Sequence, residues 1–174
     1  MRAPTNYAGP RREEEKESTM SQSPASSLSQ GPATVKHILE SKGNAIYSVS
    51  RDDSMNKAVE LMSEKRIGAL LVIDDNGRLE GILSERDIVR KLAEIPGHVL
   101  KQKVDALMTT RVQSCSPNHQ LLEVLKVMTE GRFRHMPVME NDHLLGIITI
   151  GDVVHQRLGE LEHEAIKMKQ MIVG

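Results

Sequence analysis

The chain repeats itself. When Val49 is set against Cys115 and both are stepped forward at an offset of 66, Ser50 meets Ser116, Met62 meets Met128, Glu64 meets Glu130, Arg66 meets Arg132 and Val72 meets Val138. A one-residue deletion in the second copy shifts the offset to 65, and Leu79 then meets Leu144, Gly81 meets Gly146, Ile82 meets Ile147, Asp87 meets Asp152 and Val89 meets Val154. The deletion falls at Asp74-Asp75-Asn76-Gly77 in copy one and Glu140-Asn141-Asp142 in copy two. Both stretches lie between apolar runs, where a hairpin turn tolerates a change of length. A unit of about 60 residues with one apolar helix face is marginal alone, so the two copies are expected to pack together and share a core.

Each copy reads in the same order. Met55, Ala58, Val59 and Met62 recur at helical spacing, and Leu121, Val124, Leu125 and Met128 repeat the pattern. Asp53 or Ser54 is a candidate cap for the first of these helices, and Asn118, behind Pro117, for the second. Gly68 to Ile73 and His135 to Met139 read as buried strands, followed through their turns by Leu79 to Leu83 and Leu144 to Ile148. A further helix follows each hairpin, from about Glu85 to Ala93 and from about Ile150 onward. With a first strand around Val49 and Cys115, the order is strand, helix, strand, strand, helix, in an α+β or α/β fold. The expected organisation is a disordered tail over 1–33, a first unit over 34–100, a second over 101–155 and a helical extension over 156–174. The tail assignment rests on four of the seven prolines, six serines and no Val, Ile or Phe within residues 1–33, a composition that cannot offset its own ordering entropy. Met20 within it is a second candidate start.

Charge and cysteine content exclude several functions. Twenty-three Lys and Arg face 24 Asp and Glu, so no electrostatic footprint for nucleic acid is present, and Tyr7, Tyr47 and Phe133 are the only aromatic residues on which bases could stack. The single cysteine, Cys115, rules out an internal disulfide and cannot build a zinc site alone. Its repeat partner is Val49, so it reads as a small apolar strand residue. The seven histidines are scattered without metal-ligand spacing, and no Gly-rich dinucleotide loop or P-loop occurs. No run approaches the roughly 18 to 20 apolar residues of a membrane span, and no apolar signal core opens the chain, so no membrane partner and a cytoplasmic location are the default expectations.

The sharpest chemistry follows the last strand of each copy. Gly81-Ile-Leu-Ser84-Glu-Arg-Asp87 and Gly146-Ile-Ile-Thr149-Ile-Gly-Asp152 are both Gly, two apolar residues, Ser/Thr, two residues, Asp. A hydroxyl at a strand end beside free N–H groups at a helix start suits phosphate, and an Asp one turn in can accept from two ribose hydroxyls. The same spacing is nearly a capping box, in which hydroxyl and carboxylate merely satisfy the helix start.

In both places the element follows the same strand, and with it the chain resembles a tandem pair of cystathionine-β-synthase (CBS) domains. The resemblance covers about residues 34–155 and includes the element order, the two Ser/Thr-x-x-Asp ends, the run Arg134-His-Met-Pro-Val138 and the lead-in segments Val35 to Leu39 and Val104 to Met108. The C-terminal Gly-Asp-Val-Val and charged helix are similar to those of stand-alone CBS-pair proteins. The resemblance implies two units related by a pseudo-twofold axis, with clefts between them for adenosine-containing ligands: AMP, ADP, ATP, NAD(H) or S-adenosylmethionine. It implies a regulatory binding module with no catalytic cofactor and a regulated partner that the sequence does not name. Carried over, Asp87 and Asp152 would hold ribose, Ser84 and Thr149 would contact phosphate, and Arg134 and His135 would bring positive charge to it. Val49, Ala69, Cys115 and Met136 are the nominees for the adenine slot. Arg86 stands where copy two has Gly151, and Arg134-His135 stand where copy one has Gly68-Ala69, so the two clefts are expected to differ in affinity. The alternative is an interaction protein that docks a partner through its helices with both clefts empty.

The last segment carries one more pattern. Val154, Leu158, Leu161, Ala165, Met168 and Ile172 are spaced 4, 3, 4, 3, 4. This heptad-like seam on a long helix either covers the chain's own domain or makes a homodimer.

Overall fold

The structure is a computed structural model, and it describes residues 32–43 and 45–173. The expected disordered tail falls almost wholly outside the described residues, as does Met20. Helix α1 runs from Val35 to Lys42 with Thr34 at its N-cap. The first repeat then supplies strand β1 (Ser48–Val49), helix α2 (Met55–Lys65), strands β2 (Ala69–Ile73) and β3 (Leu79–Ser84) and helix α3 (Glu85–Glu94). Two short 3-10 turns, Val99–Lys101 and Val104–Ala106, lead to the second repeat. There helix α4 (Leu121–Gly131), strands β4 (His135–Glu140) and β5 (His143–Thr149) and helix α5 (Ile150–Val173) follow.

The repeat seen in the sequence is a repeat of hydrogen bonds. β1 pairs parallel with β2, with Val49 opposite Val72. Sixty-six residues on, Cys115 forms a parallel bridge with Val138, closing the same ladder with a single pair. β2 and β3 are antiparallel with an irregularity at Val72/Ile73, and β4 and β5 repeat it at Val138/Met139. The length difference between the copies is confined to the turns. In copy one Asp74 Oδ1 accepts from the N–H groups of Asn76 and Arg78 at 2.9 and 2.8 Å, and Gly77 takes φ +78. In copy two Asn141 and Asp142 bridge Glu140 and His143 directly, both with positive φ. That is the conformation a two-residue hairpin requires and Asn and Asp tolerate.

Ser54 caps α2, accepting from the Lys57 N–H at 3.2 Å. The expected cap Asn118 is replaced by Gln120. The start of α4 is set by tertiary contact: Gln120 bridges to Thr34, and the Leu121 N–H donates to Ala33 O. Both α2 and α4 end on an arginine in the left-handed conformation, Arg66 and Arg132, each at φ 54.

Two cores result, and the lead-in segments are exchanged between them. Val35, Ile38 and Leu39 of α1 are buried with Cys115, Leu121, Val124, Met128, Met136, Val138, Ile148 and Val153, all from the second repeat. Val99 and Val104, from the segment that leads into the second repeat, are buried with Val49, Met55, Ala58, Met62, Leu70, Val72, Leu83 and Ile88 of the first. Backbone bonds follow the exchange: Val35 N–H to His119 O at 3.0 Å in one direction, Met55 N–H to Gln102 O at 2.8 Å in the other. Neither repeat therefore has its full complement of apolar side chains without a segment that precedes the other.

The exchange also explains the repeat glycines. A Cβ on Gly81 would lie 3.0 Å from Met108 Sδ and 3.0 Å from Thr109 O, and one on Gly146 would lie 3.0 Å from Leu39 Cδ2. Each glycine admits the other repeat's lead-in, and Ile82 and Thr109 exchange two backbone hydrogen bonds beside it.

Candidate functional site

Strand β3 ends at Ser84, which is extended (φ −117, ψ 156) and caps α3. Its N–H and hydroxyl both donate to Asp87 Oδ2, at 3.2 and 2.5 Å, and the Arg90 guanidinium donates to the other oxygen. In the second repeat Thr149 and Asp152 make the same capping box as Ser84 and Asp87. The Thr149 N–H donates to Asp152 Oδ2 at 2.7 Å, and the Asp152 N–H to Thr149 Oγ1 at 3.1 Å. Capping is thus real in both copies, and what separates them is what surrounds the caps.

Around Ser84 and Asp87 there is a cavity of about 580 Å³. Its wall comes from Gly68 and three strips of chain: the end of β3 with the start of α3, residues 109–113, and residues 131–135. The first belongs to one repeat and the last to the other, so the cavity lies between them. Five arginines reach it, Arg86, Arg90, Arg111, Arg132 and Arg134, against two carboxylates, Glu85 and Asp87. Arg90 is spent on Asp87. Among the described residues none of the other four guanidiniums has a carboxylate partner; Arg86 donates to the backbone carbonyl of Arg132. Phe133 and Val112 supply apolar wall.

His135 sits at the seam between the repeats. A Cβ on Gly68 would touch its ring at 3.4 Å and Glu85 Oε2 at the same distance, so copy one's glycine leaves room for copy two's histidine. Burial, then the positive charges of Lys42 and Arg134, push the imidazole below its ordinary value, against the opposing pull of Glu85 and Asp152. This environment favours the neutral imidazole.

In the second repeat the corresponding carboxylate is engaged by the protein itself. Lys42, the last residue of α1, sets its ammonium 2.6 Å from Asp152 Oδ2 and 3.2 Å from Ile147 O. Burial would raise the Asp152 carboxyl, but the Lys42 ammonium and the Thr149 N–H and hydroxyl outweigh it and hold the group below the usual carboxylate range.

Of the residues nominated from sequence, the cavity gathers Ser84, Arg86, Asp87, Arg134 and His135. Thr149 and Asp152 stand apart from it, at the Lys42 contact. Val49, Ala69, Cys115 and Met136 are buried, at 4, 6, 5 and 1% exposure, within the molecule rather than along the cavity wall. Burial pushes the Cys115 thiol up to about 12, which leaves it un-ionised. Sequence reasoning missed Arg90, Arg111 and Arg132. Arg90 carries a faint signal, one helical turn after Asp87; Arg132 carries another, as one of the repeat identities. Arg111 carries none, because only the exchange of lead-in segments brings residues 109–113 to the cavity.

Comparison with known proteins agrees with this architecture. The CBS domain family matches the chain twice, over residues 35–94 and 104–159. The crystal structure of the CBS-domain containing protein ATU1752 from Agrobacterium tumefaciens is 41% identical and superposes with a TM-score of 0.70, covering 72% of this chain and 99% of that one. A crystal structure of CBSX2 in complex with AMP is 28% identical with a TM-score of 0.61, over 73% of this chain and 97% of that one. An uncharacterized 33.4 kDa protein in a ribosomal RNA operon of Thermofilum pendens is 42% identical over 108 residues, a match spanning 62% of this chain but only 35% of that protein's length. With two tandem matches covering both repeats, and the element order, hairpins and Ser/Thr-x-x-Asp helix starts all duplicated, the chain belongs to the CBS domain family.

Proposed function

We propose that this CBS pair is a regulatory module that binds an adenine nucleotide, AMP, ADP, ATP or NAD(H), in the cavity between its repeats and signals energy or redox state to a partner protein. The observation that carries the reading is the arginine cluster. Four guanidiniums that share one cavity, none of them paired with a carboxylate among the described residues, repel one another, and an anion that enters relieves all of them together. Arginine suits phosphate because its planar fork donates two bonds at once. A volume of about 580 Å³ lies within the range of roughly 300 to 1,000 Å³ typical of small-molecule sites. Asp87 supplies the carboxylate for ribose hydroxyls, and a ribose that takes its Oδ1 frees Arg90 to face phosphate. CBSX2 in complex with AMP, a relative of the same fold, supports an adenine nucleotide as the ligand class.

The two repeats are unequal in this reading. The first Ser-x-x-Asp opens onto the cavity, whereas Asp152 is held by Lys42 and lacks an arginine at Gly151. One nucleotide per chain is the expected stoichiometry, with any second site weaker by about tenfold or more, the equivalent of about 1.4 kcal/mol. The module binds its ligand without turning it over, works in the cytoplasm and functions as a homodimer. Among the described residues no helix is long and apolar enough to cross a membrane.

The capping boxes favour a second reading, in which both Asp residues serve helix starts alone and the helices dock a partner. Thermal unfolding of the full chain, stripped of nucleotide, against AMP, ADP, ATP, NAD+, NADH and S-adenosylmethionine separates the two. A ligand at about 100 times its dissociation constant adds roughly 2.7 kcal/mol and raises the midpoint by several degrees. A rise with a nucleotide supports the sensor; no rise with any member supports the docking protein.

A further inference from the structure

Helix α5 continues well past the body of the molecule. Val153 is buried and Gln156, Arg157 and Glu160 are half-buried, so these face the body; from Leu161 to Ile172 every residue is exposed. Leu161 is 50%, Met168 62% and Ile172 83% exposed. At 3.6 residues per turn the seam Val154, Leu158, Leu161, Ala165, Met168 and Ile172 lies roughly 110° round the helix from the body-facing line. It is turned away from the chain's own core. A projecting helix of about a dozen residues is marginal in water without a partner on its apolar face.

The charges beside the seam select that partner. With Leu158, Ala165 and Ile172 at the a positions and Leu161 and Met168 at d, the flanking g positions are Arg157 and Glu164 and the e positions Glu162 and Lys169. Two parallel, in-register copies set Arg157 against the partner's Glu162 and Glu164 against the partner's Lys169, both attractive. Two antiparallel copies with the same core layers set Glu162 against the partner's Glu162 and Glu164 against the partner's Glu164, both repulsive. Arg157 also contacts Glu160 in its own chain, on the body side. Gly159, which weakens a helix standing alone, falls at an outward b position and leaves the seam continuous.

We propose that α5 pairs with α5 of a second copy as a parallel, in-register two-stranded coiled coil along this seam. The proposal rests on the homodimer reading above and names its surface and direction; it is independent of the ligand. The test is sedimentation equilibrium of the full chain at low micromolar concentration, alone and with Leu161→Glu and Met168→Glu together. Both positions are exposed, so the variant keeps its fold, and an unchanged melting profile of the body checks this. The expected result is a mass of about twice 19.4 kDa for the wild type and 19.4 kDa for the variant. A wild-type monomer overturns the proposal together with the dimer. A dimer that survives the double substitution overturns the surface while keeping the dimer. Direction is read separately by oxidising Ala165→Cys: a parallel pair places this position against itself at disulfide distance, and the native Cys115 is buried and un-ionised. Covalent dimer is expected. No covalent dimer from Ala165→Cys, together with crosslinking in a mixture of Leu158→Cys and Met168→Cys chains, overturns the parallel arrangement.

Discussion

In the proposed reading Asp87 has two tasks whose requirements differ, and this makes them separable by substitution. As part of the helix start it needs an acceptor near the Ser84 N–H, which Asn supplies nearly as well. As a ribose ligand it needs a charged acceptor, worth roughly 1.5 to 3 kcal/mol per bond. Asp87→Asn is therefore expected to leave the melting temperature within a few degrees of wild type while weakening nucleotide binding by about ten- to a hundredfold in calorimetry. Equal affinity would return Asp87 to capping alone. His135 gives a second prediction at this scale. Its folded-state value lies below its unfolded one, so the folded protein binds fewer protons here, and stability falls as pH drops below about 6.5. A phosphate entering the cavity adds negative charge to the set that already faces the ring: Lys42, Glu85, Arg134 and Asp152. Binding near pH 6 is then accompanied by proton uptake, seen as a binding enthalpy that changes with the ionisation heat of the buffer. His135→Gln is expected to remove that dependence.

At the scale of elements, the exchanged lead-ins make opposite predictions for two glycines. Gly81→Ala forces a methyl against Met108 and the Thr109 carbonyl, and because the carbonyl is backbone the strand must move; a loss of about 1 to 3 kcal/mol in denaturant unfolding is expected. Gly159→Ala meets nothing within 4 Å in the middle of α5 and is expected to stabilise that helix by up to about 1 kcal/mol. A neutral Gly81→Ala would mean that the lead-in is not held as tightly as the geometry requires. The elements themselves were legible in the sequence because each repeats a local signal: apolar spacing in α2 and α4, turn residues at Asp74 to Gly77 and at Asn141-Asp142, buried runs in β2 and β4. The helical form of Val35 to Lys42 and the cap at Gln120 were not, since both depend on contacts between residues more than 80 positions apart, such as Leu121 with Ala33 and Val35 with His119.

The whole molecule is two copies of one unit that have diverged: the first Ser-x-x-Asp opens onto a cavity, and the Asp of the second Thr-x-x-Asp is paired with Lys42. Ser84, Asp87, Arg134 and His135 could be nominated from the repeat and from the family resemblance, because those signals lie in motifs. The arginines that give the cavity its charge could not be assembled in the same way. Arg90, Arg111 and Arg132 sit on three different segments, and only the crossing of the lead-ins sets those segments side by side. Val49, Ala69, Cys115 and Met136 are buried in the molecule and not on the cavity wall, and an apolar residue in the sequence looks the same whether it faces core or ligand. Releasing the Lys42 contact tests the asymmetry: Lys42→Met is expected to let Asp152 titrate closer to its ordinary value, read by the pH dependence of its carboxyl signal in NMR.

The most direct test of the nucleotide reading is isothermal titration of the full, nucleotide-stripped chain with adenosine, AMP and ATP in turn at two salt concentrations. The arginine cluster predicts one ligand per chain, affinity that climbs from adenosine to AMP to ATP, and weakening of the phosphorylated ligands as salt screens the guanidiniums. Adenosine binding as tightly as ATP, two equal sites per chain, or no heat from any of the three would contradict it.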